Sequence, residues 1–433
     1  MGKPQKAFRS VLVAGTNGKG STAAMIASIV RAGGYRVGLY TSPHLRDVRE
    51  RIQINGKSIS EEKLTKLIRH LRLFLSKGRT KTERITYFEF LTALAFVHFN
   101  EEKVDLAVLE TGLGGRLDAA NTVDPLISVI TSIEHDHTEY LGKDILSIAQ
   151  EKAGILRSGK TAVVSRQRQD VSPFLTETCR THQIDLWLHG RDFNAEVRSW
   201  NLGGSRLDFS SIIQHYRDLK LPLTGRHQGD NAATAIAVCC RLKDFGMILD
   251  ERAIRQGLAE TKWPGRLEVA ATDPLILLDG AHNPAATLAL KEALEELFPT
   301  QEKFIIFGVL QDKNSSEMIA TLAPLAKEII FVPLRTNRGA DPAKVACETV
   351  QGLGKSVIMG NLSQSLSYVT QKVSKNDIIC VTGSFYAVGE ALEALETFKD
   401  IEKGISNTEL QEGNQTKKDS IQKREMVHGK ETL

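Results

Sequence analysis

A short apolar run, Val11-Leu12-Val13, leads directly into Gly15-Thr16-Asn17-Gly18-Lys19-Gly20-Ser21, and a helix-patterned segment begins at Ser21. No other stretch constrains the fold as much. A buried strand ends, glycines let the chain turn tightly, and a helix carries it on. Such a turn aims backbone N–H groups and the positive end of a helix at one point, which is how proteins hold phosphate. Two residues separate Gly15 from Gly18, whereas the Walker A pattern places four before its Gly-Lys. A bare Gly-x-x-Gly is often no more than a strand-to-helix turn; Lys19, Ser21 and the preceding strand favour a phosphate loop.

The same alternation runs on. Helix 21–32, closed by Gly33-Gly34, precedes a strand at Val37–Tyr40. Residues 60–76 read as a helix with Ser60 as N-cap and Glu61 and Glu62 in its first turn. Residues 86–99 form an apolar helix, Val104–Glu110 and Leu126–Thr131 are buried strands, and 143–157 is a helix. This rhythm predicts an α/β fold, a mostly parallel sheet with helices on both faces. The pattern loosens between 161 and 225, and a long helix runs from Asp230 to Phe245. It restarts with strands at Leu275–Leu278, Phe304–Val309, Ile329–Val332, Ser356–Ile358 and Asp377–Val381, and helices at 284–298, 315–327 and 384–398. A boundary near Leu267–Asp273 divides the chain into 1–268 and 269–398. Residues 399–433 carry seven Lys/Arg, seven Asp/Glu and no aromatic residue, which predicts a disordered charged tail.

At 433 residues the chain has ample length for a core, and its 41% hydrophobic and 25% charged content is that of a soluble globular protein. A net charge of +4 argues against a nucleic-acid binder but permits a positive cleft for an anionic substrate. Cys179, Cys239, Cys240, Cys347 and Cys380 form neither a CxxC pair nor a zinc spacing, and read as reduced thiols of a cytoplasmic protein. There is no signal peptide, and no apolar run reaches the roughly 18 residues a membrane span needs.

Several small clusters fall just past strand ends, where open α/β sheets place their ligands. Thr41-Ser42-Pro43-His44 follows one strand. Glu110 ends another and precedes Thr111-Gly112-Leu113-Gly114-Gly115-Arg116-Leu117-Asp118. A carboxylate beside a phosphate loop suits Mg²⁺, which prefers oxygen ligands and keeps some waters; as a plain surface or capping residue Glu110 would need no such role. The run Glu134-His135-Asp136-His137 is consecutive, so its side chains diverge and cannot all reach one ion. One of its histidines could lend a nitrogen to Mg²⁺ or serve only as a hydrogen-bonding group. Asp279-Gly280-Ala281-His282-Asn283-Pro284 could hold a ribose or a phosphate, while Asn283 caps the helix that Pro284 opens.

These blocks, with Thr86-Tyr87-Phe88-Glu89, Glu151-Lys152-Ala153-Gly154, Gly225-Arg226-His227-Gln228, Asn231-Ala232-Ala233, Trp263-Pro264-Gly265-Arg266-Leu267-Glu268 and Gly383-Ser384-Phe385-Tyr386, resemble the folylpolyglutamate synthase and dihydrofolate synthase branch of the Mur ligase family. The resemblance covers residues 1 to about 398. It implies a P-loop-containing ATP-binding domain followed by a smaller Rossmann-like domain. It also implies an ATP-dependent amide ligase that adds L-glutamate to dihydropteroate or to reduced folates through an acyl phosphate, releasing ADP and phosphate.

Carried over motif by motif, Gly15, Thr16, Asn17, Gly18, Lys19, Gly20 and Ser21 would cradle the ATP phosphates. Ser42, Glu110 and His137 would hold Mg²⁺, and Lys152, carbamylated by CO₂, would join them. Without the resemblance, Lys152 reads as a surface lysine on its helix. Lys19, Glu110, His137 and Lys152 would be the catalytic set. Asn231, Arg266, Asp279 and His282 would contact the nucleotide, and Phe88, Asp118 and Ala119 the pterin; Phe88 reads equally well as core. Family members usually carry a further helical segment before the first strand, whereas here Met1-Gly2-Lys3-Pro4-Gln5 leads almost straight into it. Either the start is assigned too late or that helix is absent, which would leave apolar surface on that side. The expected partners are small molecules alone, with no nucleic acid, no membrane and a monomeric chain. Two other readings stand beside this one. A Mur-type ligase acting on a UDP-sugar peptide fits Glu151–Gly154 and Trp263–Glu268 less well. A nucleotide-binding module without ligase activity leaves Glu110, His137 and Lys152 unexplained.

Overall fold

The computed structural model describes residues 2–78, 85–348 and 355–397; the charged tail lies outside the described residues. An eight-stranded sheet runs in the spatial order Lys57–Ser58, Ile52–Ile54, Val37–Tyr40, Leu106–Glu110, Arg9–Ala14, Ile127–Ile130, Thr161–Val164 and Asp185–Leu188. Its pairings are parallel except the two made by Ile52–Ile54. A parallel sheet is buried on both faces, so its strands are apolar throughout. Val11 and Val13 face one core with Val108 and Val129, and Leu12 and Ala14 face the other with Leu109 and Ile130, the alternation a strand imposes. Helices Lys19–Ala32, His227–Leu242 and Glu251–Ala259 cover the first face. Helices Glu61–Gly78, Tyr87–Glu101 and Ile145–Ala153 cover the second.

The loosened stretch contains a three-stranded antiparallel sheet, Phe193–Asn201, Gly204–Ser211 and His215–Leu221. Only one of its faces is buried: Phe193, Leu207, Phe209, Tyr216, Leu219 and Leu221 join the core beneath helix His227–Leu242. Every second residue is therefore free to be polar, as in Arg206-Leu207-Asp208-Phe209, and a search for continuous apolar runs passes over it. Two expected helices are shorter than their patterns suggest. That at 143–157 spans Ile145–Ala153 and stops at Gly154. That at 315–327 ends at Leu322, where Pro324 forces a 3₁₀ turn before the strand Ala326–Phe331.

A second lobe is built on a six-stranded sheet, in the order Glu268–Thr272, Leu275–Leu278, Ile378–Thr382, Lys303–Phe307, Ala326–Phe331 and Lys355–Ile358. Its first strand pairs antiparallel and the rest parallel. Helix Pro284–Leu297 and a helix over 385–397 flank it. The carboxyl ends of both parallel sheets open onto one cleft, because the loops that follow Ala14, Tyr40, Glu110 and Ile130 share a cavity with those after Leu278, Phe307 and Thr382. Among the described residues no helix is long and apolar enough to cross a membrane.

Candidate active site

The cleft between the lobes holds a cavity of about 1290 Å³, and every residue carried over by the resemblance lines it. The loop at its floor follows the Arg9–Ala14 strand, which lies between Leu106–Glu110 and Ile127–Ile130. Chain order reverses at this strand, the usual ligand crevice of such sheets. Gly18 has φ of +83° and abuts the Asn231 side chain, so the loop needs glycine there twice over. Lys19 opens the helix and donates to the Thr16 carbonyl at 3.0 Å.

Lys152 is not the surface lysine its helix pattern suggests. Its side chain runs inward, 4% exposed, and its Nζ donates to the Gly15 carbonyl at 2.6 Å. Burial, reinforced by the nearby Lys19 charge, lowers its pKa to about 7. Glu110 is also buried, and its Oε2 accepts from the Ser42 backbone N–H at 3.0 Å. Burial raises its pKa against the opposing pull of Lys19. The neighbouring Thr111 hydroxyl is buried with no hydrogen-bond partner. A buried carboxyl without an ion-pair partner among the described residues, beside an orphaned hydroxyl, suits a cation. No three acidic, His or Cys side chains of the described residues gather into a metal cage, so an ion here would draw further ligands from substrate phosphates and water.

Across the cleft the lobes meet through polar side chains. Asn283 caps its helix by accepting from Ala286 N at 2.9 Å. It also donates to Asn17 Oδ1 at 2.9 Å and to Asp136 Oδ2 at 3.2 Å, so its capping and site roles coexist. Lys313, on the loop after Phe307, donates to Asp136 Oδ1 at 2.7 Å and lies 3.2 Å from His137 Nε2. Burial works against the Asp136 charge, but Lys313, His137 and His282 outweigh it and hold the carboxyl well below the usual range. His137 sits in the left-handed region at φ 51°, ahead of helix Thr138–Leu141. Burial lowers its pKa to about 4, despite Asp136 and Asp312 beside it, so its ring is neutral near pH 7 and offers a lone pair.

Arg266 is half-buried, its guanidinium 4.6 Å over the Phe385 ring and its buried Nε without a hydrogen-bond partner among the described residues. Asp279 accepts from Leu267 N and Ala281 N, each at 2.8 Å, and His282 places Nδ1 2.8 Å from the Gly280 carbonyl. Burial lowers the His282 pKa to about 4. Asn231 donates to Gln228 Oε1 at 3.0 Å. On the opposite wall Phe88 is half-buried, its ring 5.7 Å from that of Tyr40 and resting on Gly112; it serves the core and the cavity together. Asp118 is committed to the backbone: Gly112 N, Leu113 N and Ala120 N all donate to it, at 2.8–2.9 Å. Its carboxylate shapes the glycine turn and opens the 3₁₀ turn Ala119–Thr122, which leaves Ala119 on the cavity wall.

The sequence reading did not single out Asp312, Lys313 or Arg51, all of which line the cavity. The signal was available for the first two, which sit just past a strand end like the residues that were identified.

Residues 13–239 match the Mur ligase middle domain and 265–385 the Mur ligase, glutamate ligase domain. A dihydrofolate synthase/folylpolyglutamate synthase of Bacillus subtilis is 36% identical over 403 residues, covering 92% of each chain. Escherichia coli FolC, solved in complex with DHPP and ADP, is 32% identical with a TM-score of 0.82, covering 92% of this chain and 91% of that one. The bifunctional folylpolyglutamate synthase/dihydrofolate synthase of Yersinia pestis, solved with AMPPNP and Mn ion, is 34% identical with a TM-score of 0.79, covering 90% of this chain and 89% of that one. The chain belongs to the Mur ligase family, within its dihydrofolate synthase/folylpolyglutamate synthase branch.

Proposed function

We propose that this protein is an ATP-dependent ligase that joins L-glutamate to dihydropteroate and to glutamylated reduced folates. A carboxylate is a poor electrophile, and phosphorylation gives it a leaving group. The acceptor carboxylate oxygen bonds to the γ-phosphorus as ADP departs. The glutamate amine then attacks the acyl carbon, loses a proton and expels phosphate. Positioning and charge neutralisation carry most of such a transfer. The observation that supports this reading best is the pairing of a phosphate loop on one lobe with Asp279 and His282 on the other, and with Arg266 at the junction between them, around one cavity.

In this reading the N–H groups of 15–21 and Lys19 hold the phosphates, and Asn231 lies beside that loop. Asp279 and His282 meet the nucleotide from the lobe of residues 269–398, and Arg266 meets it from the end of 1–268, at the junction of the two lobes. Phe88 stacks on the pterin beside Ala119, and Asp118 fixes the turn that shapes the pocket. Ser42, Glu110 and His137 supply donors for Mg²⁺, which when bound neutralises charge on the phosphates. Lys152 completes that set as a carbamate: a lysine of pKa about 7 keeps a neutral amine fraction able to bond to CO₂ and release a proton, and the product is an anion. The site is complete within one chain, which fits a monomer, and the free cysteines among the described residues fit the cytoplasm.

Mass analysis of the products tests the reading. The expected result is one glutamate added to dihydropteroate and one or more added to a reduced folate, with ADP release dependent on acceptor and glutamate together. ATP turnover indifferent to both contradicts it.

A further inference from the structure

Arg51 is a buried arginine, 8% exposed, on the cavity wall. Its Nε donates to His44 Nδ1 at 2.9 Å, and its guanidinium carbon lies 5.7 Å from the centre of the Tyr87 ring. His44 can accept because burial first, and the Arg51 charge second, lower its pKa and keep Nδ1 unprotonated. The guanidinium forms no ion pair among the described residues, and its two terminal nitrogens have no hydrogen-bond partner there. The acids nearby on its own segment are engaged elsewhere. Glu50 accepts from the backbone N–H groups of Leu45, Arg46 and Asp47, and Asp47 pairs with Arg49. Guanidinium is always charged, and a buried charge persists where something compensates it. Here the fork is fixed at its base and open at its tip.

A planar fork with free N–H pairs matches a carboxylate. Arg51 stands on the wall of Tyr87 and Phe88, at the start of helix Tyr87–Glu101, whose positive end adds to the attraction for an anion. The reacting carboxylate is a poor candidate for this partner, because a bidentate guanidinium would draw electron density from the oxygen that must attack phosphorus. We propose that Arg51 binds the free α-carboxylate of a glutamylated acceptor, a group dihydropteroate lacks, and so sets the preference between the two acceptor classes. This inference rests on the ligase reading above.

The test measures kcat/KM of wild type and Arg51→Gln with dihydropteroate, with a monoglutamyl reduced folate and with the α-carboxamide of that folate, whose γ-carboxylate remains free to react. In wild type the amide is expected to be at least about tenfold poorer than the acid, mainly through KM, the usual effect of losing a charge-assisted hydrogen bond. In Arg51→Gln acid and amide should fall within about twofold of each other. The folate-to-dihydropteroate ratio should drop about tenfold; a general loss of folded enzyme cancels in that ratio. Wild type that uses acid and amide equally overturns the assignment, whether or not the variant folds. So does a variant that keeps the wild-type preference for acid, or a wild type active on dihydropteroate alone. Wild type that releases no ADP with either acceptor overturns the ligase reading itself.

Discussion

Lys19→Ala lowers acceptor-dependent ADP release by about 10²–10³-fold, the effect of removing one preorganised group that stabilises transition-state charge. The loss falls on kcat, because charge on the transferring phosphoryl group peaks in the transition state. The fold should survive. Among the described residues the Lys19 side chain donates to the Thr16 carbonyl of its own loop and to no other group, so its removal breaks no hydrogen bond to a distant described residue, and the stability change stays within about 1 kcal/mol. Circular dichroism and a melting curve check the second half, and a coupled ADP assay the first. Near-normal turnover refutes the phosphate-loop role.

Lys152→Ala is expected to lower activity by about 10²–10³-fold, the loss of an anionic ligand being worth several kcal/mol of metal-dependent charge stabilisation. Short carboxylic acids such as formate or acetate should restore part of it, because they return an anion to the space the side chain leaves. Wild-type activity should fall in CO₂-depleted buffer and recover on adding bicarbonate. The pH dependence has a definite sign. The folded-state pKa of unmodified Lys152 is about 7 against an ordinary 10.5. Between those values the unfolded chain holds more protons than the folded one. Stability of the CO₂-free protein therefore rises with pH across that window and is lost as pH falls through 7. Denaturant titrations at pH 7 and pH 9 read this directly. Full activity of Lys152→Ala without CO₂ contradicts the carbamate role.

Much of this was legible in the sequence because parallel strands are buried on both faces. Val37–Tyr40 and Leu275–Leu278 were placed to the residue, since each is an apolar run bounded by breaks. The half-buried sheet of 193–221 was missed because its apolar residues alternate with exposed polar ones. Strand ends located Ser42, Glu110, His137, Asp279 and His282, whereas Phe88, Lys152, Asn231 and Arg266 were reached only through the family resemblance; all of them line the cavity. Burial was not legible: nothing in the pattern of helix 145–153 shows that Lys152 turns inward to Gly15. Pairing was no more legible. That Asp118 spends its oxygens on three backbone N–H groups, that Lys313 reaches across to Asp136 and that Arg51 lacks an acidic partner among the described residues are consequences of tertiary placement.

The central claim is that one nucleotide is held by both lobes at once. A crystal structure with Mg²⁺ and a non-hydrolysable ATP analogue tests it most directly. The account predicts the triphosphate on the N–H groups of residues 15–21 and the remainder of the nucleotide against Arg266, Asp279 and His282. A nucleotide that touches a single lobe, or lies away from the cleft, would contradict it.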